Sequence, residues 1–413
     1  MRCAPMPREP QSDGWEDEVP GVLAHALIAY FLILYSGRIV LLLLGGAALR
    51  RGWKRVPYAG LHELYLSPLT RPVSVLLPVG AGSREVARAV RGLLGLRYPV
   101  FEVVVIDSGL SGEAFAELHA AFDLVEMRCA MPHDIAVRGR VRSVHIARRL
   151  GPRLLVVRKE RDDHGDALNS GLNFARFPLV AVSDPGYLLE PRTLLWAAKP
   201  FMDDPLRVAG TAVAVRRRGR AARVAHALSL LGDAGRSWFG WPALGACFRM
   251  LSRDAVLAAG GFARGEIGIL ARMSRAPHRF VFVTEAVVTA SGGIGWHVWL
   301  RRGWQAIVRP RFLAGTPRAG TFGLVVLPGW VVFGYLAPFA GLGGVALLCA
   351  GAIDGGLAWW LVAAAIGYGF SVVALAVLLL PGGHTDEDAV RRMVPGHHRT
   401  RSDERPGAHE ESL

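Results

Sequence analysis

The chain has 413 residues, 52% of them apolar, and a formal net charge of +14; its mean hydropathy is +0.30. That is enough chain for one large α/β domain plus membrane elements, and more apolar than is usual for a wholly soluble protein. Arginine carries nearly all the positive charge, since Lys54, Lys159 and Lys199 are the only lysines; in an Ala/Gly/Arg-rich chain this reads as compositional bias, and nucleic acid is set aside as a partner.

The four cysteines, Cys3, Cys129, Cys247 and Cys349, have no C-x-x-C spacing and point to neither a zinc site nor a disulfide framework. Residues 1–20 are polar, with Asp13, Glu16, Asp17 and Glu18 near their end, and are expected to be disordered. Gly21 to Leu49 is apolar apart from His25, Ser36 and Arg38, and its 29 residues exceed the roughly 20 that a helix needs to cross a bilayer. A secretory signal would begin with a basic region and carry a shorter apolar core, so a membrane helix is expected over 21–49. Arg50, Arg51, Lys54 and Arg55 follow it, and by the positive-inside rule they place the downstream chain in the cytoplasm. His25 reads as a helix-interior side chain, and Arg38 as one that snorkels or faces a partner helix.

A soluble domain is expected over residues 72–311. VSVLLPV is a strand, Ser83 to Leu96 has helical spacing with Ser83 as N-cap, and FEVVVIDSG is a second buried strand ending in Asp107. RLLVVRKE, the helical DALNSGLNFA and the strand PLVAVS follow, the last delivering Asp184 to a turn at Pro185-Gly186. Strands alternating with helices predict a parallel or mixed sheet, which binds ligands at the carboxyl ends of its strands. Asp107, Asp166 and Asp184 are expected to gather at that edge. A second apolar block over 321–380, broken by Pro328, Pro338 and Asp354-Gly355, predicts two or three further membrane segments. The tail 381–413 is polar and basic and is expected to be disordered and cytoplasmic, which calls for an even number of those segments.

PVSVLLPV, LRYPVFEVVVIDSG, DALNSGLNFARFPLVAVSDPGYLLEP, CFRMLSRDAVLAAGGF and LRRGW, in this order and followed by membrane segments, resemble the membrane-bound family 2 glycosyltransferases of the processive, cellulose-synthase-like group. The resemblance covers about Pro72 to Trp304. It implies a glycosyltransferase A (nucleotide-diphospho-sugar transferase) domain, α/β with a mixed, mostly parallel sheet, flanked by transmembrane helices. It also implies a multi-pass protein of the inner (plasma) membrane that passes a sugar, with inversion, from a nucleotide-diphosphate sugar to a glycan or lipid acceptor. That chemistry calls on carboxylates that hold the base and a Mg²⁺ or Mn²⁺ ion on the diphosphate, a general base for the acceptor hydroxyl, and a clamp near the leaving group.

Carried over residue by residue, the family's motifs are thinned. Pro-x-x-Asn-Glu is Pro78 followed by Val79, Gly80, Ala81 and Gly82, and the paired acid at the second strand is Asp107-Ser108. Lys-Ala-Asp-Ala-Leu-Asn is His164-Gly165-Asp166-Ala167-Leu168-Asn169, and Asp-x-Asp is Asp184-Pro185-Gly186, leaving Asp184 as the one carboxylate for the metal. The Glu-Asp pair with the expected base aligns with Glu266-Ile267, and Gln-x-x-Arg-Trp keeps only Trp304. The resemblance thus assigns catalysis to Asp184 and Glu266, and substrate binding to Asp107, His164, Asp166 and Trp304. The thinned motifs also admit a second expectation, an inactive glycosyltransferase-like scaffold that regulates a membrane glycan-synthesis partner.

Overall fold

The computed structural model describes residues 15–55, 64–81, 83, 85–130, 132–160, 163–216, 231–243, 246, 248–263, 265–276 and 278–290, with short pieces between 326 and 359. Trp304, nearly all of the 321–380 block and the tail lie outside the described residues. Helix α1 (Trp15–Arg55) is 41 residues long. It begins six residues before the apolar stretch. Its Gly21–Ala48 segment, of mean hydropathy 2.3, is the one described helix long and apolar enough to cross a membrane.

The sheet grows from two strands with every residue buried, β1 (Val73–Val79) and β2 (Phe101–Asp107). Val73, Val75, Leu77 and Val79 join Val103 and Val105 in the core on one face, while Leu76 joins Val104 and Ile106 on the other, as the two-residue strand period requires. Burial on both faces is why these strands read as unbroken apolar runs. Helix α2 (Val86–Leu94) joins them and begins three residues later than its expected cap. The Ser83 hydroxyl is already taken, accepting the Gly80 amide at 3.0 Å and closing a tight turn. Helix α3 (Gly112–Phe122) has the cap that α2 lacks, Ser111 accepting from the Ala114 amide.

The remaining elements are β3 (Leu124–Met127), β4 (Val141–Ala147), β5 (Gly151–Lys159), α4 (His164–Phe174), β6 (Leu179–Val182), β7 (Tyr187–Leu189), α5 (Thr193–Asp203), β8 (Val208–Arg216), β9 (Arg249–Ser252), α6 (Arg253–Ala258), α7 (Gly265–Met273) and β10 (Arg279–Ala290). Together the strands form one ten-stranded sheet of order β3-β4-β5-β2-β1-β6-β9-β8-β10-β7. The central block β5-β2-β1-β6 is parallel throughout, and only β4, β9 and β7 run against the other seven strands. The sheet is therefore mixed and mostly parallel.

Helices cover both faces. α2 and α5 bury Val90, Leu93, Leu194 and Phe201 in one core, whereas α4 and α7 bury Leu168, Leu172, Ile269 and Leu270 in the other. Gly171 lets α4 lie directly on the sheet, since a Cβ there would sit 2.7 Å from the Ile106 side chain. The amino edge of the sheet is closed by Glu102, buried and accepting from the Ser74 hydroxyl at 2.7 Å and Arg176 Nε at 2.7 Å. The carboxyl edge is where chemistry-bearing residues collect. Outside the sheet, helical residues 231–238 cross α1 at backbone contact: a Cβ on Gly45 would collide with the Leu231 carbonyl oxygen, and one on Gly235 with that of Leu41.

Candidate functional site

Three strand ends and two helix starts build the carboxyl edge. β2 ends in Asp107, β5 in Arg158 and Lys159, and β6 runs out through Ser183 to Asp184. α4 opens with His164 and α7 with Gly265-Glu266.

Asp107 is 3% exposed and bonds its own chain. One carboxylate oxygen accepts the amides of Gly109 (3.0 Å) and Leu110 (2.7 Å), and the other accepts Arg158 Nε at 3.0 Å. Arg158 in turn lies over the Phe115 ring, 3.8 Å from its centroid. Asp107 thus caps the β2–α3 turn. Beside it, where the family resemblance expects a second acid, Ser108 donates its hydroxyl to the Val79 carbonyl at 3.0 Å.

Arg158 and Lys159 are consecutive on a strand, so they serve opposite faces of the sheet. Lys159 pairs with Asp166 on the α4 side, both side chains being buried. Asp166 also accepts the amides of Arg138 (2.8 Å) and Gly139 (3.1 Å). Burial pushes its carboxyl up, but the Lys159 bond, the two amides and the Lys159 charge outweigh that and hold it below the usual carboxylate range. The cation absent from position 164 is therefore supplied by β5. Asn169 and Asn173 extend the same polar stripe along α4: Asn169 Oδ1 accepts the Phe262 amide at 2.6 Å, and Asn173 exchanges two 2.9 Å bonds with the Ile135 backbone. The DALNSGLN segment thereby anchors the 135–139 and 261–262 loops.

His164, Glu266 and Asp184 are arranged differently. Gly165 packs on the turn before α7 so closely that a Cβ would collide with the Phe262 carbonyl oxygen. This contact brings His164 Nε2 within 3.5 Å of Glu266 Oε1. Glu266 Oε2 pairs with Arg249 of β9, whose other Nη donates to the Ala243 carbonyl at 3.1 Å. Arg249 is buried, Glu266 is half-buried, and His164, with 43% of its side chain accessible, is the open end of the chain. Burial lowers the His164 pKa, but the bond to Glu266 and the charges of Glu266, Asp184 and Asp163 together raise it above the ordinary imidazole value. Asp184 is half-buried, and its carbonyl accepts the Tyr187 amide at 3.1 Å to close the Pro185-Gly186 turn. Gly186 is not in the left-handed region, and a Cβ there would meet nothing within 4 Å.

Of the residues named from sequence, the edge brings His164, Asp184 and Glu266 together, whereas Asp107 and Asp166 are spent on loops and buried cations. Among the described residues, no group of three or more His, Cys, Asp and Glu side chains is placed to hold a metal ion. Arg249, Arg158 and Lys159 were not foreseen. Lys159 left one trace, as one of three lysines in an arginine-rich chain and the terminus of an apolar strand.

No protein-family model and no curated protein sequence matches the chain. Solved structures do. The mannosyltransferase PcManGT from Pyrobaculum calidifontis, in complex with GDP-Man and Mn²⁺, is 19% identical with a TM-score of 0.52, over 85% of this chain and 98% of that one. Glucosyl-3-phosphoglycerate synthase from Mycobacterium tuberculosis, in complex with Mn²⁺, UDP and phosphoglyceric acid, is 17% identical with a TM-score of 0.40, over 63% of this chain and 87% of that one. The first likeness, spanning nearly all of the mannosyltransferase, establishes the fold as the glycosyltransferase A fold of nucleotide-sugar transferases.

Proposed function

We propose that the chain is a membrane-anchored glycosyltransferase of the family 2 type, passing a sugar from a nucleotide-diphosphate sugar to a glycan or lipid acceptor. The observation that carries this is the meeting of Asp184, His164 and Glu266 at the carboxyl edge of the sheet, where His164 keeps 43% of its side chain accessible. Sheets of this kind take their ligands at that edge. The GDP-Man and Mn²⁺ of the similar mannosyltransferase support a nucleotide sugar and a divalent ion as the ligand classes.

Asp184 would hold Mg²⁺ or Mn²⁺ as a single carboxylate, leaving the donor's oxygens and water to complete the shell, as Mg²⁺ sites in phosphate enzymes commonly do. Such an ion, when bound, neutralises charge on the departing diphosphate. Membrane anchoring rests on Gly21–Ala48, and a cytoplasmic, inner-membrane placement on the basic flank that follows it.

A second function, an inactive scaffold for a membrane glycan-synthesis partner, is favoured by one observation: Asp107 and Asp166 have both oxygens engaged by their own chain. Turnover separates the two. The detergent-purified full chain, given UDP- and GDP-sugars with Mg²⁺ or Mn²⁺, is expected to release nucleoside diphosphate above the no-enzyme rate. No release from any donor with either ion would overturn transfer and leave the scaffold.

A further inference from the structure

From the Arg249–Glu266–His164 chain we infer that His164 is the base that takes the proton of the acceptor hydroxyl, with Glu266 as its positioning residue; the inference rests on the transfer function proposed above. Glu266 aligns with the segment where the resemblance places the base, yet its two oxygens are already committed, one to Arg249 and one to His164. A carboxylate pinned between a guanidinium and an imidazole is poorly placed to accept a further proton. Along that chain, the basic atom left over is Nδ1 of His164, on a side chain that is 43% accessible. With Nε2–H donating to Glu266, the neutral tautomer carries its lone pair on Nδ1, and no described residue bonds that atom.

The pairing is built in at the backbone level. His164 is the first residue of α4 and Glu266 the second of α7. Three contacts lock those two helix starts: Gly165 against the Phe262 carbonyl, Asn169 accepting from the Phe262 amide, and Gly261 close to Asn169, where a Cβ would lie 2.5 Å from Oδ1. Neither side chain has to search for the other. Glu266 of α7, Asp184 beyond β6 and Asp163 before α4 face the ring with negative charge, and Arg249 of β9 reaches it only through Glu266. The Glu266 carboxylate, 3.5 Å from Nε2, favours the imidazolium formed when the base accepts a proton.

The acceptor O–H proton moves to His164 Nδ1, and the oxygen lone pair forms the new bond to the anomeric carbon. The bond from that carbon to the diphosphate oxygen breaks, its electron pair leaving with the diphosphate. The imidazolium then returns its proton to water.

Three variants of the full chain test the assignment. His164→Ala is expected to lower kcat by about 10² to 10⁴ with the donor KM little changed, the cost of losing a positioned base. His164→Gly with added imidazole is expected to recover part of the rate, which a merely structural histidine would not permit. Glu266→Gln is expected to move the acid limb of the kcat/KM profile to lower pH. It should also lower the midpoint of the His164 ring signals followed by NMR, a readout that needs no turnover. An unmoved His164 midpoint in Glu266→Gln would overturn the pairing, and turnover that survives His164→Ala would overturn the base role alone. A wild-type chain that turns over no nucleotide sugar overturns the transfer function and the base role with it, while the NMR midpoint still decides whether Glu266 sets the ring.

Discussion

At the scale of single residues, acids on the same edge have opposite fates. Asp166 is buried against Lys159 and two amides, so its charge is needed for folding. Lys159→Met leaves that carboxylate unpaired in the core and is expected to destabilise the domain by about 3 to 5 kcal/mol, read by denaturant titration; a loss below about 1 kcal/mol would mean that the two loop amides suffice. The pH dependence has a definite sign. The folded-state pKa of Asp166 is depressed, so its contribution is fully present above the unfolded value of about 3.9 and is lost as pH falls through the folded value. Wild type should therefore lose stability more steeply than Asp166→Asn below about pH 4. Asp184 was legible as a candidate because a buried strand visibly delivers it to a Pro-Gly turn. Arg249 and Lys159 were not, because what marks them is the carboxylate each meets on a helix packed against the sheet, and local spacing carries no record of that.

At the scale of elements, β1, β2, β5 and β6 could be read directly, each being an apolar run buried on both faces or nearly so. β3 could not: three of its four residues are exposed, and it exists because β4 pairs with it. β7, with three residues, owes its place to β10 in the same way. α2 shows a local signal losing to a competing one, since the serine that would cap it closes the preceding turn. The crossing of α1 with residues 231–238 was invisible for another reason: glycines 45 and 235 matter through what cannot be there. Gly235→Leu forces the backbones apart and should cost about 1 to 3 kcal/mol by the usual toll of overpacking, lowering the melting temperature of the solubilised chain. Gly232→Ala, where the nearest atom is 3.8 Å away on a flexible arginine, should instead be neutral or stabilising by up to about 1 kcal/mol. Equal effects at both positions would contradict the close crossing.

At the scale of the whole molecule, a long apolar helix precedes a mostly parallel sheet in the chain. The acidic flank before Gly21 and the basic one after Leu49 predict that reporters fused after Arg55 and at the C-terminus both read as cytoplasmic. A periplasmic signal after Arg55 would remove the domain from cytosolic nucleotide sugars. Central to all of this is the claim that the edge where Asp184, His164 and Glu266 meet, rather than the buried acids, carries out sugar transfer. The most direct measurement is nucleoside diphosphate release from a nucleotide sugar by wild type and by Asp184→Ala, with folding of both followed by their melting temperatures. Loss of turnover in Asp184→Ala at an unchanged melting temperature is the predicted result; turnover retained in the folded variant would contradict it.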